Sequence, residues 1–337
     1  MTRAQLKTAR LTLRPVAPED EGAVVACLND IAVSGWLSTI PHPYAPRDFT
    51  FFLIELAKQG ETFVIEDSQG FCGIVGAEGG ELGYWFAPRC HGQGFATEAA
   101  RAVMAAQFGH KRKDWISGHF EGNTRSANVL RKLGFVETGR STKHCRALGI
   151  DRPHIDMSLT RSAFIAALPI EAQSDRMTFR SLQATDLDAL HAIVSHFDVV
   201  RQLASYPWPP DREFTRTRAQ PYAGRGFVWG AFQQGRLIGT VAVTGDELGY
   251  MFTPETWGHG LATEAGATAL GRAFENPDLQ EVTASAWDDN LTSLSLLQKL
   301  GFRELRRTVE KSKARKVESG LVHMALSRTN WFARPSA

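Results

Sequence analysis

Two glycine-rich turns carry the strongest chemical signal in this chain. The first reads His91-Gly92-Gln93-Gly94-Phe95-Ala96-Thr97-Glu98 and the second Trp257-Gly258-His259-Gly260-Leu261-Ala262-Thr263-Glu264, at a constant offset (92 + 166 = 258). Glycine permits positive φ and lets a ligand approach the backbone closely. The first turn of a helix adds free N–H groups and a partial positive charge. Together they form an anion site suited to a pyrophosphate, with the Thr97 hydroxyl as a further donor and Glu98 facing the helix dipole from the solvent side. No Gly-Lys-Ser/Thr follows, so this is not a P-loop, and Thr97 stands where a dinucleotide fingerprint needs its third glycine. A lone Gly-x-Gly is a plain tight turn. Its recurrence after the same apolar strand and before the same helical run points to a phosphate-bearing ligand.

The second constellation is Asn123…Ser126…Lys132-Leu133-Gly134-Phe135, repeated one residue out of step as Asn290…Ser293…Lys299-Leu300-Gly301-Phe302. Asn123 suits an N-cap, worth about 1 kcal/mol over alanine. Gly134 suits the left-handed C′ position, and Phe135 the apolar contact of a Schellman ending. A well-capped helix explains all of these. Ser126 exceeds that explanation, because a hydroxyl one turn into the helix faces whatever lies between it and the phosphate-binding helix.

The elements that must position these groups also repeat. Arg10-Leu11-Thr12-Leu13-Arg14 answers to Arg176-Met177-Thr178-Phe179-Arg180. A unit of this length is a duplicated domain rather than a solenoid repeat of about 20–50 residues. Each copy predicts an alternating first strand, a helix with an acidic start (Pro18-Glu19-Asp20; Thr185-Asp186) and an aromatic, proline-rich loop. A three-strand meander follows, then the turn and its helix (96–108; 262–274). The copy closes with a strand (115–120; 282–287), the capped helix (124–133; 291–300) and two strands. The fold class is α/β (α+β), two tandem domains over 1–168 and 169–337, each a mixed sheet flanked by helices, with a polar linker over 169–175.

The 337 residues suffice for two domains with their own cores, and the net charge of +2 argues against nucleic acid or a membrane surface as partner. No apolar run is long enough to span a bilayer, and residues 1–7 contain no apolar export segment, which reads as cytoplasmic. Cys27, Cys72, Cys90 and Cys145 all lie in the first copy without a C-x-x-C pair, so neither a shared disulfide framework nor a metal site is expected. Lys111-Arg112-Lys113 and the 311–316 run read as solvated basic faces.

Arg89-Cys90-His91-Gly92-Gln93-Gly94-Phe95-Ala96-Thr97-Glu98-Ala99, after Glu81-Leu82-Gly83-Tyr84-Trp85-Phe86-Ala87-Pro88 and before the Asn123–Phe135 pattern, resembles the GNAT superfamily of acetyl-CoA-dependent N-acetyltransferases. The resemblance is strongest to the RimJ/RimL-like branch, which modifies protein N-termini and other amines, and it covers nearly the whole chain, once per copy. It implies a centrally splayed sheet, acetyl-CoA as donor and a primary amine as acceptor, with room for an intramolecular pseudo-dimer. Backbone amides over 91–97 would cradle the CoA pyrophosphate, with Arg89 opening the signature. Phe86 and Ala87 would pair with the pantetheine arm, one backbone N–H polarising the thioester carbonyl, and Asn123 and Asn128 would touch the CoA arm. Phe252, Thr253, Trp257, Gly258, His259, Gly260, Leu261, Ala262, Thr263 and Asn290 answer to them in the second copy.

Direct attack of an amine on the thioester needs a base for the ammonium and an acid for the leaving thiolate. Ser126 and Ser293 are the candidate acids, Glu81 and Glu247 the candidate bases. His119 and Glu121 are alternatives in the first copy, and Asp288 repeats the latter while Ala286 replaces the former. A solvated strand-end carboxylate explains Glu81 equally well. Trp36, Tyr44, Phe49, Tyr206 and Trp208 fit either an acceptor pocket or core packing. Glu255 replaces Arg89 in the second turn, where an inward-facing acid would repel a pyrophosphate, so the first copy is the favoured catalyst. Two rival readings of the same fold are an aminoacyl-tRNA-dependent transferase, which would need no pyrophosphate cradle, and a non-catalytic acyl-CoA-binding scaffold.

Overall fold

Apolar runs such as Phe63-Val64-Ile65 and Trp229-Gly230-Ala231-Phe232 contain hydrophobic side chains that are buried on both faces of a strand, so helices must cover both faces of each sheet. A computed structural model describes residues 5–58, 60–108 and 114–333 and places them in two compact units that meet between Leu168 and Pro169. The basic run Lys111-Arg112-Lys113 lies outside the described residues.

The first unit contains β1 (Leu6–Lys7), β2 (Thr12–Pro15), β3 (Thr62–Asp67), β4 (Gly70–Glu78), β5 (Glu81–Phe86), β6 (Asp114–Phe120), β7 (Val136–Cys145) and β8 (Ile150–Thr160). They form one sheet in the order β1-β2-β3-β4-β5-β6-β8-β7. The second unit repeats it with β9 (Ala172–Gln173), β10 (Thr178–Ser181), β11 (Gly226–Gln233), β12 (Arg236–Thr244), β13 (Glu247–Phe252), β14 (Glu281–Trp287), β15 (Arg303–Lys311) and β16 (Glu318–Ser327). Each sheet is antiparallel except at its centre, where β5 meets β6 and β13 meets β14 in parallel. That pairing is brief: only Glu81↔Ile116 in the first sheet, and Glu247↔Thr283 and Leu248↔Ala284 in the second. Beyond it the strands part, which opens a splay in the middle of each sheet.

The helix after each turn spans Phe95–Phe108 or Leu261–Glu275. Its buried face is rich in small residues (Ala99, Ala100 and Ala105; Ala265, Gly266 and Ala269), with Phe108 and Phe274 anchoring the far end. Phe108 packs against Trp115 and Phe164 with ring centroids at 5.8 and 5.0 Å. Full burial of such side chains contributes about 1.5–3 kcal/mol each, so the turn projects from a firmly seated helix. The second helix spans Thr124–Leu133 and ends as predicted: Gly134 has φ +96°, and Phe135 N–H bonds the Leu130 carbonyl at 3.0 Å.

Two sequence expectations change. The 169–175 segment is not a free linker: Ala172–Gln173 pairs with β10, and Trp229 Nε1 donates to the Ile170 carbonyl at 2.9 Å. Polar composition does not disclose that a backbone is recruited to a sheet edge. Asp20 and Asp186, expected only as acidic residues at helix starts, are buried in ion pairs with Arg14 and Arg180 at 2.6 and 2.8 Å. They also accept from the Ala17 and Gln183 amides.

Candidate active site

Both turns adopt the conformation that only glycine takes without strain. Gly92 and Gly94 have φ of +76° and +80°, and Gly258 and Gly260 +80° and +73°. A Cβ on Gly92 would meet no heavy atom within 4 Å, so glycine is required there by backbone shape and the space above it is open. Glu98 does not face solvent as the sequence suggested. It accepts from the Thr8 hydroxyl at 2.6 Å and the Arg10 amide at 3.0 Å, and pairs with the Arg10 guanidinium at 2.6 Å. Arg10 Nη1 also donates to the Gln93 carbonyl at 2.9 Å, so one arginine holds the turn from behind. Arg176, Glu264 and the His259 carbonyl repeat this clamp. The repeated strand motif contained both arginines, but its alternation pointed only to a strand.

Arg89 corrects an expectation. Its guanidinium turns away from the turn, pairs with Asp67 at 2.8 and 3.0 Å and donates to the Gly70 and Phe71 carbonyls. Asp67, Cys72 and Cys90 bring potential metal-ligand atoms within 4.8 Å of one another, and this arginine already supplies their positive charge. The Arg89 guanidinium holds the Asp67 carboxyl down at about 2. Since the folded value lies below the ordinary one near ~3.9, the pair's stabilisation is present above that pH and is lost as pH falls towards 2. Arg89→Ala is therefore expected to lower stability by about 1 kcal/mol, discounted for solvent, while leaving CoA affinity within about twofold; thermal melts and calorimetric titration check both parts. The Arg89-to-Glu255 exchange thus falls behind the turn, where the second unit has Gln233 in place of Asp67.

His91 and Trp257 play one part with different rings. His91 Nε2 lies 2.9 Å from the Phe86 carbonyl, as Trp257 Nε1 does from that of Phe252. With Arg125 Nη1 3.0 Å from His91 Nδ1, the imidazole donates through Nε2 and accepts through Nδ1. The Ala87 amide bonds back to Cys72 on β4, so strand alternation turns the backbone groups of Tyr84 and Phe86 towards the splay. The Phe86 carbonyl is engaged by His91, which leaves its N–H as the polar group presented there.

Across the splay stands a tyrosine that the sequence reading overlooked. Tyr84 Oη lies 3.0 Å from Ser126 Oγ, and Tyr250 Oη 2.7 Å from Ser293 Oγ. Burial pushes the Tyr84 phenol above its ordinary range and Tyr250 up to about 12, opposed in each case by the serine hydrogen bond. Both hydroxyls therefore stay protonated at neutral pH. The repeat carried the signal: Tyr84 and Tyr250 occupy matched positions two residues before Phe86 and Phe252 and share their strand face. Asn123 and Asn290 spend their side-chain oxygens as N-caps on Ser126 and Ser293, at 3.1 Å each.

In the first unit a cleft of about 670 Å³ runs from the turn to the splay. It brings together Gly92, Gly94, Phe95, Ala96 and Thr97 with Phe86, His91, Asn123, Ser126 and Asn128, and reaches Glu81 and His119. Ala87, Arg89 and Gln93 do not line it. Glu81 is exposed at its mouth, and Glu121 is exposed and paired with Arg140 at 3.1 Å. Trp36 lines the cleft, whereas Tyr44 and Phe49 belong to the core. The cleft also contains His154, on which sequence reasoning was silent. The second unit has a cavity of about 550 Å³ with Glu247, Tyr250, Asn290, Ser293 and Tyr206 in its walls, which does not include the Gly258–Gly260 turn. There Ser285 donates to Glu247 at 3.1 Å, and Trp208 packs against Phe197 with ring centroids at 5.0 Å. Among the described residues no helix is long and apolar enough to cross a membrane.

The chain is similar to known proteins. The model of the acetyltransferase (GNAT) domain matches it twice, over residues 10–136 and 176–303. YoaA of Bacillus subtilis, described as an uncharacterized N-acetyltransferase, is 28% identical over 145 residues, which are 39% of this chain and 82% of that protein. Among solved structures, a GNAT-family acetyltransferase from Bacillus anthracis is 20% identical with a TM-score of 0.40, covering 47% of this chain and 99% of its own. A spermidine N-acetyltransferase from Vibrio cholerae, solved with CoA and spermine, is 19% identical with a TM-score of 0.39, over 47% and 99% of the two chains.

Proposed function

The chain belongs to the GNAT acetyltransferase family, in which acyl groups move from acetyl-CoA, and from that premise we propose that its first domain transfers acetyl to a primary amine, of a peptide N-terminus or a small molecule, by direct attack within a ternary complex. The observation that supports this most is the single cleft joining the Gly92–Gly94 turn to the Tyr84–Ser126 hydroxyl pair. The open space above Gly92 and the exposed backbone of the turn suit a pyrophosphate, so the residues fit the donor.

Amides over 91–97, aided by the helix N-terminus and the Thr97 hydroxyl, would hold the pyrophosphate. The Phe86 N–H would bond the thioester carbonyl oxygen as negative charge gathers on it. Ser126, backed by Tyr84, would return a proton to the leaving thiolate. Glu81 at the mouth would draw in the cationic amine. The second domain keeps the turn and the Tyr250–Ser293 pair and would also bind CoA. Because the cavity at the Tyr250–Ser293 pair does not take in the turn, whereas the first domain's cleft does, we assign turnover to the first. The division of the chain into domains over 1–168 and 169–337 and a cytoplasmic location belong to the same proposal.

Thiol release from acetyl-CoA by the full chain tests the reading. The amine panel comprises spermidine, free amino acids and short peptides with unblocked serine or methionine N-termini. Release that depends on one class of amine is expected. CoA binding without release for any amine would favour the scaffold reading.

A further inference from the structure

We propose that His154 is the general base of the first domain, taking the proton from the acceptor ammonium; this rests on the acetyl-transfer reading above. His154 sits on β8 opposite Phe120 of β6 and lines the cleft, with its side chain only 8% exposed. Its Nδ1 lies 2.9 Å from Asp156 Oδ1, and Ser141 donates to the same oxygen at 3.1 Å. A carboxylate can only accept, so Nδ1 carries the hydrogen and Nε2 the lone pair. Nε2 has no hydrogen-bond partner among the described residues. The Phe120 ring meets the imidazole edge-on at 5.7 Å and fixes its plane.

The sheet is cut away to admit this ring. A Cβ on Gly118, itself a lining residue, would fall 2.2 Å from His154 Cε1 and 2.9 Å from Nε2. The Nε2 edge thus lies over a gap in the β6 side chains, at the wall of the cleft. The second domain has none of this: Leu321 stands opposite Trp287 where His154 stands opposite Phe120, with Ser285 in place of Gly118 and His323 in place of Asp156. The rival bases are less well placed. Glu81 and Glu121 are exposed, and His119 points Nδ1 at the Phe120 carbonyl, 3.0 Å away, with no carboxylate behind it.

The titratable groups acting on the imidazole are Asp156 on its own strand, Lys143 on β7 and His119 on β6, and the Arg152 guanidinium stacks 4.8 Å from the centre of the Phe120 ring that packs against it. Burial, Lys143 and His119 favour the neutral ring, and burial outweighs the opposing pull of Asp156. His154 Nε2 takes one proton from R–NH₃⁺, and the freed lone pair forms the C–N bond as the C–S bond breaks. The amide nitrogen then loses its second proton to solvent, and the thiolate receives one from the Tyr84–Ser126 pair, which solvent replenishes. The sum is ammonium plus thioester giving amide, thiol and one proton.

The test uses the full chain, acetyl-CoA and whichever panel amine releases thiol fastest. His154→Gln is expected to lower kcat about a hundredfold with acetyl-CoA affinity and melting behaviour kept, and to abolish the acid limb of the kcat/KM profile. Asp156→Asn removes the group that raises imidazole basicity, so the acid limb should move to lower pH as kcat falls. Added imidazole should restore part of the activity of His154→Gly. If His154→Gln fails to fold, Asp156→Asn decides alone. A folded His154→Gln, or Asp156→Asn in its stead, that keeps kcat within about twofold and leaves the acid limb in place overturns the inference alone. A wild-type chain that binds acetyl-CoA but releases thiol with no amine overturns the acetyl-transfer reading, and this inference with it.

Discussion

Replacing Gly92 with glutamate is expected to weaken acetyl-CoA binding to the first domain at least about a hundredfold, or about 2.8 kcal/mol. Two effects add. Gly92 has φ +76°, a conformation that costs an L-residue about 1–2 kcal/mol, so the turn relaxes and its amides lose their common aim. The new carboxylate also enters a space that is open in the structure and that a pyrophosphate would fill. Because a Cβ there meets no neighbour within 4 Å, the fold should survive, and the loss should fall on the ligand. Gly258→Glu at φ +80° is the matched change in the second turn. Calorimetric titration of the full chain and of each variant checks the effect, since each substitution should remove one class of sites.

The second large effect concerns the hydroxyl pair. Ser126→Ala and Tyr84→Phe are each expected to lower kcat about ten- to a hundredfold with little change in KM for acetyl-CoA, because proton delivery matters only as the thiolate departs. If the hydroxyls act as a relay, the double variant should be hardly worse than the slower single one. Each change removes a partly buried hydrogen bond, 3.0 Å long in the wild type, worth about 1 kcal/mol of stability. With the Tyr84 phenol held above its ordinary range, the acid stays protonated and kcat should show no alkaline fall below about pH 10. A steady-state pH series with the single and double variants tests these points together.

The duplication made much of this legible. Two copies of the turn, of the Asn123–Ser126 and Asn290–Ser293 caps and of the Schellman glycines gave the helices and the proposed anion site, because each is a local feature with its own residue requirement. Tyr84 and Tyr250 were equally repeated, but their meaning depends on β5 and β13 parting from β6 and β14, which no local pattern records. Arg10 and Arg176 reach residues 88 positions away. Arg89 was misread because the turn motif gives its position and not the direction of a long side chain that finds Asp67. His154 breaks the repeat, so the comparison that exposed the shared site passed over it. What duplication preserves is the glycine turn and the tyrosine–serine pair; what it fails to preserve marks where the two domains differ.

The most direct measurement of that division is transfer of an isotopically labelled acetyl group from acetyl-CoA to an amine, followed by mass spectrometry, in the full chain carrying either Gly92→Glu or Gly258→Glu. Label transfer that survives Gly258→Glu and disappears with Gly92→Glu is the expected result. Transfer that survives Gly92→Glu and disappears with Gly258→Glu would contradict the assignment of catalysis to the first domain.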